Sequence, residues 1–316
     1  MGGKTMRYAV IGGGSGGKAV SAYLREMGHE VAIYCRDGGH AAALSRDGIT
    51  VSATDRLAQA VRGAGAVLVQ TLATGHAPVA QALRGLLEPG QIILIFNGSW
   101  GAAEFSAILG DEAREKNVRV CETSAQLFLC SSPEECSVHI KTIKKSVAMA
   151  CAAPAQTPGA LAELATVFPQ LTAGSNVLDT SLNSSNPVVH GPIALFNITR
   201  LENGEDYTLF GTALPRKTVD YIEKIDAERR AVIQAMGVEA VPVLDILNSF
   251  WPEKRDSVFS ALKDNPSYQV SRGPKTLAHR YLNEDMPYGL APIARLGRRY
   301  GVDTPYLDSL LRVLGL

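Results

Sequence analysis

The apolar run Met6 to Ile11 passes directly into Gly12-Gly13-Gly14-Ser15-Gly16-Gly17 and then into a helical stretch from Lys18 to Met27. This strand, glycine turn and helix constrain the fold more than any other feature. The alternation they begin continues. Gly28-His29 ends the helix, Val31 to Tyr34 reads as a second strand, and Ile49 to Ser52 as a third, short one. Arg56 to Arg62 is expected to be helical, Ala66 to Gln70 a strand, and His76 to Leu87 a helix stopped by Pro89-Gly90. Gln91 to Phe96 is a strand, Ala102 to Glu115 a helix and Val118 to Glu122 a strand. Short apolar strands alternating with helices imply right-handed crossovers and a parallel sheet covered on both faces, a doubly wound α/β domain. From Ser137 to Ala153 the texture changes to longer β-like segments, Val138 to Ile143 and Ser146 to Ala152, expected to form a hairpin around Lys144-Lys145. Pro158 to Phe168 follows as a helix.

After about Leu182 the strand signal ends. Thr218 to Met236 places Val219, Ile222, Ile225, Val232, Ile233 and Met236 on one helical stripe, with Gly237 as the cap. Asp226 and Arg230, four apart, are expected to be a solvated helix pair. Helical segments broken by Pro and Gly continue to Leu316, and no internal repeat is evident. The expected division is an α/β domain over 1–181 and an all-helical domain over 182–316, with a cleft between them.

Composition excludes several classes. Lys plus Arg equals Asp plus Glu at 31 each, so no global basic field favours nucleic acid or an anionic membrane. No apolar run approaches the roughly 18 residues of a membrane span, and Met1 to Met6 carries no secretory or myristoylation signal. The five cysteines are odd in number and contain no C-x-x-C pair, which fits reduced thiols in a cytoplasm. The six histidines are dispersed, and no metal site is expected. What remains is a protein acting on small molecules.

Gly12, Gly14 and Gly17 satisfy G-x-G-x-x-G in the context that gives the motif meaning. Gly12 permits the tight turn, Gly14 lets a pyrophosphate approach the backbone, and Gly17 lets helix pack on strand. A helix starting near Ser15 points free N–H groups and its positive dipole end at phosphate. This is a Rossmann dinucleotide site. At the end of the second strand, NAD sites usually place an acidic residue for the ribose 2′-hydroxyl. Here the strand ends Tyr34-Cys35-Arg36-Asp37. Arg36 suits the 2′-phosphate of NADP, so NADP(H) is favoured, with NAD possible if Asp37 takes the hydroxyl. Asn97-Gly98-Ser99-Trp100-Gly101 follows the fifth strand, where α/β folds place ligands; it reads equally as a ligand-lining loop or a plain connection.

Two stretches of the helical half are rich in polar and catalytic residue types beside Pro and Gly: Asn183 to Pro192, continuing to Asn197, and His279 to Gly289. N-P-x-x-H at Asn186 to His190, the segment Asp226-Ala227-Glu228-Arg229, and R-x-x-x-[DE]-D-x-P-Y-G at Arg280 to Gly289 strongly resemble the opine dehydrogenase family of the octopine/nopaline type. With the glycine fingerprint the resemblance spans most of the chain. It implies NAD(P)H-dependent reductive condensation of an amino acid's α-amine with a 2-oxo acid, giving a secondary-amine dicarboxylate. It maps the family's catalytic His onto His190, its partner Asp onto Asp285, and the Arg five positions earlier onto Arg280. A homodimer is a further family-level expectation. The chain departs from better-known members in being shorter and in carrying Ser15 where many have Asn.

The chemistry has its own logic. A carbonyl or imine accepts hydride only if charge on its heteroatom is neutralised, and histidine, with an ordinary pKa of about 6.5, exchanges that proton near neutrality. A carboxylate on the other ring nitrogen fixes the tautomer, the role given to Asp285. A guanidinium binds a carboxylate bidentately, so Arg280 is the candidate clamp for the 2-oxo acid. Asn197, seven positions after His190, would share its helical face and reach substrate if one helix spans both across Pro192. Two alternatives stay open: an NADPH-dependent 2-oxo acid reductase needing no amine, and a non-catalytic dinucleotide sensor.

Overall fold

The computed structural model describes residues 5–47, 52–269 and 271–316. They form two compact units, one ending at Thr180 and the other beginning at Ser181.

The first unit is built on ten strands: β1 (Arg7–Ile11), β2 (Glu30–Tyr34), β3 (Ser52–Thr54), β4 (Ala66–Val69), β5 (Ile92–Ile95), β6 (Arg119–Thr123), β7 (Phe128–Ser131), β8 (His139–Ile143), β9 (Val147–Cys151) and β10 (Leu171–Ala173). Eight of them form one sheet in the order β10-β9-β6-β5-β4-β1-β2-β3. From β3 to β6 every pairing is parallel. β2 lies on one side of β1 and β4 on the other, which makes the carboxyl end of β1 the topological switch point where such folds bind ligands. Val10, Ile33, Leu68, Val69, Ile93 and Ile95 are wholly buried, as expected for strands covered by helices on both faces. The architecture is a Rossmann-like domain.

Four features differ from the sequence-based expectation. β9 runs antiparallel to β6, with β10 parallel beside it, so the far edge of the sheet is reversed. The hairpin expected around Lys144-Lys145 is absent. β8 pairs instead with β7, and β9 joins the main sheet. Both segments are strands as expected, but pairing is decided by long-range partners that periodicity cannot reveal. The helix Gly38–Asp47 was unforeseen, while the expected strand at Ile49 to Ser52 lies largely outside the described residues, with β3 occupying Ser52–Thr54. The same reversal sets Cys121 of β6 opposite Cys151 of β9, and the two form a disulfide rather than the free thiols expected. Cys35, Cys130 and Cys136 are free.

The second unit is helical; among the described residues its β structure is one isolated bridge between Thr208 and Arg272. Helix Arg216–Ala235 buries Val219, Ile222, Ile225, Val232 and Ile233, four of them without any exposure. Asp226 is not solvated. It is buried beside Arg229, which has no exposure at all and lies 2.6 Å from the Asp226 carboxylate, with further bonds to the Leu182 carbonyl and Asn183 Oδ1 at 2.8 and 3.0 Å. Arg230 adds a contact to the same carboxylate at 3.0 Å. The i,i+4 spacing reads as a surface pair, but Asp226 and Arg229 both fall within the arc of the apolar stripe, and the helix is covered there. Among the described residues no helix is long and apolar enough to cross a membrane.

Candidate active site

The glycine loop is shaped for a ligand. Gly12 has φ of 120°, a conformation L side chains rarely adopt. A Cβ on Gly17 would stand 1.8 Å from the Gly12 carbonyl oxygen, so helix Ser15–Glu26 closes on β1 only because that atom is missing. A Cβ on Gly14 would meet nothing within 4 Å. Gly14 is the N-cap and no side chain caps the helix, which leaves first-turn N–H groups facing open space. At the end of β4, Gln70 Nε2 and Thr71 Oγ1 are buried without hydrogen-bond partners, and a Cβ on Gly16 would touch Gln70 Oε1. Open backbone donors, a positive helix end and orphaned polar atoms fit the diphosphate of a nicotinamide dinucleotide.

Beside this loop lies a cavity of about 650 Å³ lined by Gly13, Gly14, Lys18, Arg36, His40 and Glu135, among others. Arg36 is exposed and has no protein partner among the described residues. Asp37, the rival for this position, is committed: its Oδ1 accepts the His40 N–H at 3.0 Å, capping helix Gly38–Asp47 and holding the carboxyl below its ordinary pKa. His40 lies between two acceptors, Nδ1 2.9 Å from Glu135 Oε1 and Nε2 3.0 Å from the Gly13 carbonyl oxygen. Neither partner can donate, so both bonds require an imidazolium. The Glu135 bond, aided by Gly13, raises the His40 pKa. Lys18 is buried and donates to the Glu135 carbonyl at 2.7 Å; burial lowers its pKa. None of Lys18, His40 or Glu135 was singled out from the sequence, because 95 residues separate His40 from its carboxylate.

The loop after β5 is backbone-strained. Asn97, Ser99 and Trp100 all have positive φ, at 54°, 43° and 71°. Glu122, wholly buried in β6, accepts the Ala102 N–H at the start of helix Gly101–Leu109 and the Thr180 hydroxyl, at 2.9 and 2.8 Å. A side chain on Gly98 would collide with it. This is a built corner at the carboxyl edge of the sheet rather than a plain connection.

In the helical unit, His190 lies in helix Ser185–Phe196, which continues through Pro192, and Asp285 opens a π-helical turn over Asp285–Leu290. Two glycines let these segments meet. A Cβ on Gly191 would lie 1.8 Å from Met286 Cε, and one on Gly289 2.3 Å from Pro187 Cγ. The approach brings His190 Nδ1 to 3.0 Å from Asp285 Oδ2, across 95 residues of sequence. Asp285 is 2% exposed and the imidazole 16%, so the pair is nearly enclosed with one part of the ring reachable. Nδ1 lies against the carboxylate, and Nε2 makes no hydrogen bond among the described residues.

Arg280 Nε is 3.0 Å from Glu284 Oε2 on the next turn. Burial works against its charge, but Asp285 and Glu284 more than offset it and its pKa lies above the usual guanidinium value. Its terminal nitrogens make no hydrogen bond to protein among the described residues. Asn197 differs from expectation. Its amide nitrogen donates to the Ile193 and Ala213 carbonyls at 2.8 and 2.9 Å, so its observed task is to close the end of the helix. His279 and Tyr281, not assigned from the sequence, pack with His190: the Tyr281 and His190 rings stack with centroids 4.1 Å apart, and His279 meets Tyr281 edge-on at 4.3 Å.

Comparison with known proteins finds two family matches. Residues 173–315 match the family described as NAD/NADP octopine/nopaline dehydrogenase, alpha-helical domain, and residues 8–126 match ketopantoate reductase PanE/ApbA. The chain is 31% identical to an opine dehydrogenase of Arthrobacter sp. (strain 1C) over 97% of this chain and 89% of that one. It is 23% identical to tauropine dehydrogenase of Arabella iricolor over 80% of this chain and 71% of that one. An octopine dehydrogenase structure in complex with NADH and agmatine shares the fold, with a TM-score of 0.76 at 19% identity over 98% of this chain and 88% of that one. A yersinopine dehydrogenase with NADP+ bound gives 0.76 at 16% identity, over 98% and 90%. This chain belongs to the opine dehydrogenase family, nicotinamide-dependent oxidoreductases that join an amino acid to a 2-oxo acid by reducing the imine between them.

Proposed function

We propose that His190, Asp285 and Arg280 carry this reaction and that NADPH is the preferred reductant. The observation that carries the first part is the 3.0 Å contact between His190 Nδ1 and a nearly fully buried Asp285. The cofactor, when bound, supplies the hydride. His190 Nε2 takes the proton released as the amine adds to the carbonyl and returns one to the heteroatom being expelled or reduced. Asp285 holds the imidazole tautomer and balances the imidazolium. Arg280 binds the 2-oxo acid carboxylate through its two free terminal nitrogens, fixing the carbonyl for attack.

Gly12, Gly14, Ser15 and Gly17 hold the diphosphate. Arg36 takes the 2′-phosphate, a reading supported by its unpartnered guanidinium on the cavity wall and by the commitment of Asp37 to a helix cap. The homodimer that the family resemblance implies is carried forward on that basis alone.

The test is NADPH and NADH oxidation with pyruvate or glyoxylate, with and without a panel of amino acids, read by absorbance and by mass spectrometry of the product. Amine-dependent oxidation yielding a secondary-amine dicarboxylate, faster with NADPH, is expected. The ketopantoate reductase match over residues 8–126 favours a simple 2-oxo acid reductase as the second reading. Amine-independent oxidation would establish it.

A further inference from the structure

A hydrogen bond at Nδ1 fixes one atom of an imidazole and leaves the ring able to rock about the Nδ1 to carboxylate line. In this unit the His190 ring has two aromatic neighbours. Tyr281 stacks at 4.1 Å with 29° between the planes, and Phe210 is tilted at 6.5 Å. The arrangement extends in both directions. Phe210 packs on Tyr268 at 4.8 Å, and Tyr268 meets Trp251 edge-on at 5.5 Å, where the indole N–H donates to its hydroxyl at 3.3 Å. On the other side His279 sets its edge on Tyr281 at 4.3 Å and caps helix Arg280–Asn283 by accepting the Tyr281 N–H at 3.4 Å. Six rings in succession therefore carry the imidazole at their centre.

Resting on the acid/base reading of His190, we propose that Tyr281 is a positioning residue: its ring face, braced by His279, locks the rotation of the His190 imidazole while Asp285 sets its tautomer. The chemistry of the brace supports this. Burial, with Arg280 and His190 nearby, holds the His279 pKa below its ordinary value, so a second cation does not form beside the acid/base. Because His279 Nδ1 accepts the Tyr281 N–H, its proton resides on Nε2. The Tyr281 phenol is pushed up to about 12 by burial, so the ring serves as a neutral wall across the working pH range. A ring misplaced by an ångström can cost on the order of 100-fold in rate.

The experiment is steady-state kinetics of the complete enzyme with NADPH, pyruvate and the amino acid that turns over fastest in the panel, for Tyr281→Phe, Tyr281→Leu, His279→Gln, His190→Ala and the double variant Tyr281→Leu/His190→Ala. Tyr281→Leu is expected to lower kcat about 10-fold or more with KM values within about threefold. Tyr281→Phe, which keeps the face, stays within about twofold of the parent, and His279→Gln falls between. In the His190→Ala background Tyr281→Leu adds no further loss, because the positioned group is gone. Tyr281→Met, similar in bulk but without a ring face, replaces the leucine variant should that one fail to fold. A kcat within twofold for Tyr281→Leu, a Phe variant as impaired as Leu, or an additive loss in the double variant overturns the proposal while leaving the acid/base reading intact. Near-normal turnover of His190→Ala overturns both.

Discussion

His40 and His190 are held in opposite ways, one on the wall of an open charged cavity and the other against an enclosed carboxylate. His40 sits at the edge of an open cavity, bonded through both nitrogens to acceptors, with Lys18 and Asp37 also facing it. Its carboxylate partner Glu135 is 61% exposed, and nothing stacks on the ring among the described residues. His190 has one carboxylate, 2% exposed, a stacked Tyr281 ring and Phe210 nearby. The first site works by charge in partly solvated surroundings, where partners can exchange. The second holds one ring nitrogen against an enclosed carboxylate and leaves little of the ring exposed. A third histidine, His76, is 1% exposed with neither ring nitrogen bonded, and its pKa is lowered to about 4 by burial, which keeps it neutral as a packing residue.

The sharpest way to break this contrast is at His190. His190→Ala should lower turnover at least about 100-fold while NADPH binding, followed by nucleotide fluorescence, stays unchanged. Next, Asp285→Asn should lower turnover at least about 10-fold, because a carboxamide can donate to Nδ1 and favour the wrong tautomer; KM for pyruvate should move less than kcat. An Asp285→Asn enzyme with parental kcat would remove the carboxylate from the mechanism. On the cofactor side, Arg36→Ala should raise KM for NADPH about 10-fold and leave KM for NADH nearly unchanged. Equal effects on both would mean that Arg36 does not read the 2′-phosphate.

The smallest expected effect is one of pH. A proton on His40 lets the ring bridge Gly13 and Glu135, and its pKa in the folded protein is raised by those same bonds. The contribution is therefore fully present below the ordinary histidine value of about 6.5 and is lost as pH rises through the higher folded value. NADPH binding should weaken about threefold between roughly pH 6 and pH 8.5, and His40→Gln, which has no ring proton to lose, should flatten that change. An unaltered pH dependence in the variant would show that the cavity wall does not rely on His40.

Legibility in the sequence followed distance along the chain. The fingerprint Gly12, Gly14 and Gly17 was readable because its parts are local: a turn, a helix end and a close approach lie within six positions. His190, Asp285 and Arg280 are named through the family resemblance rather than by periodicity, and the structure shows how the first two meet: Gly191 and Gly289 lack the side chains that would hold their segments apart. Helical phase gives Asn197 a face shared with His190 but says nothing of what already meets it there; two backbone carbonyls hold its amide nitrogen. Arg229 and the reversed β9 were missed for a related reason. Burial of a charge and direction of a strand both depend on partners dozens of residues away.

The amino-acid order alone determined the sheet-then-helix architecture and the phosphate-binding turn, because hydrophobic periodicity and glycine conformations act over a few residues. Tertiary structure alone decided which carboxylate meets which histidine, that Asp37 caps a helix while Arg36 stays unpaired, and that Tyr281 lies against the His190 ring. Those outcomes depend on register and close packing between segments far apart in the chain, and local preferences carry no information about them.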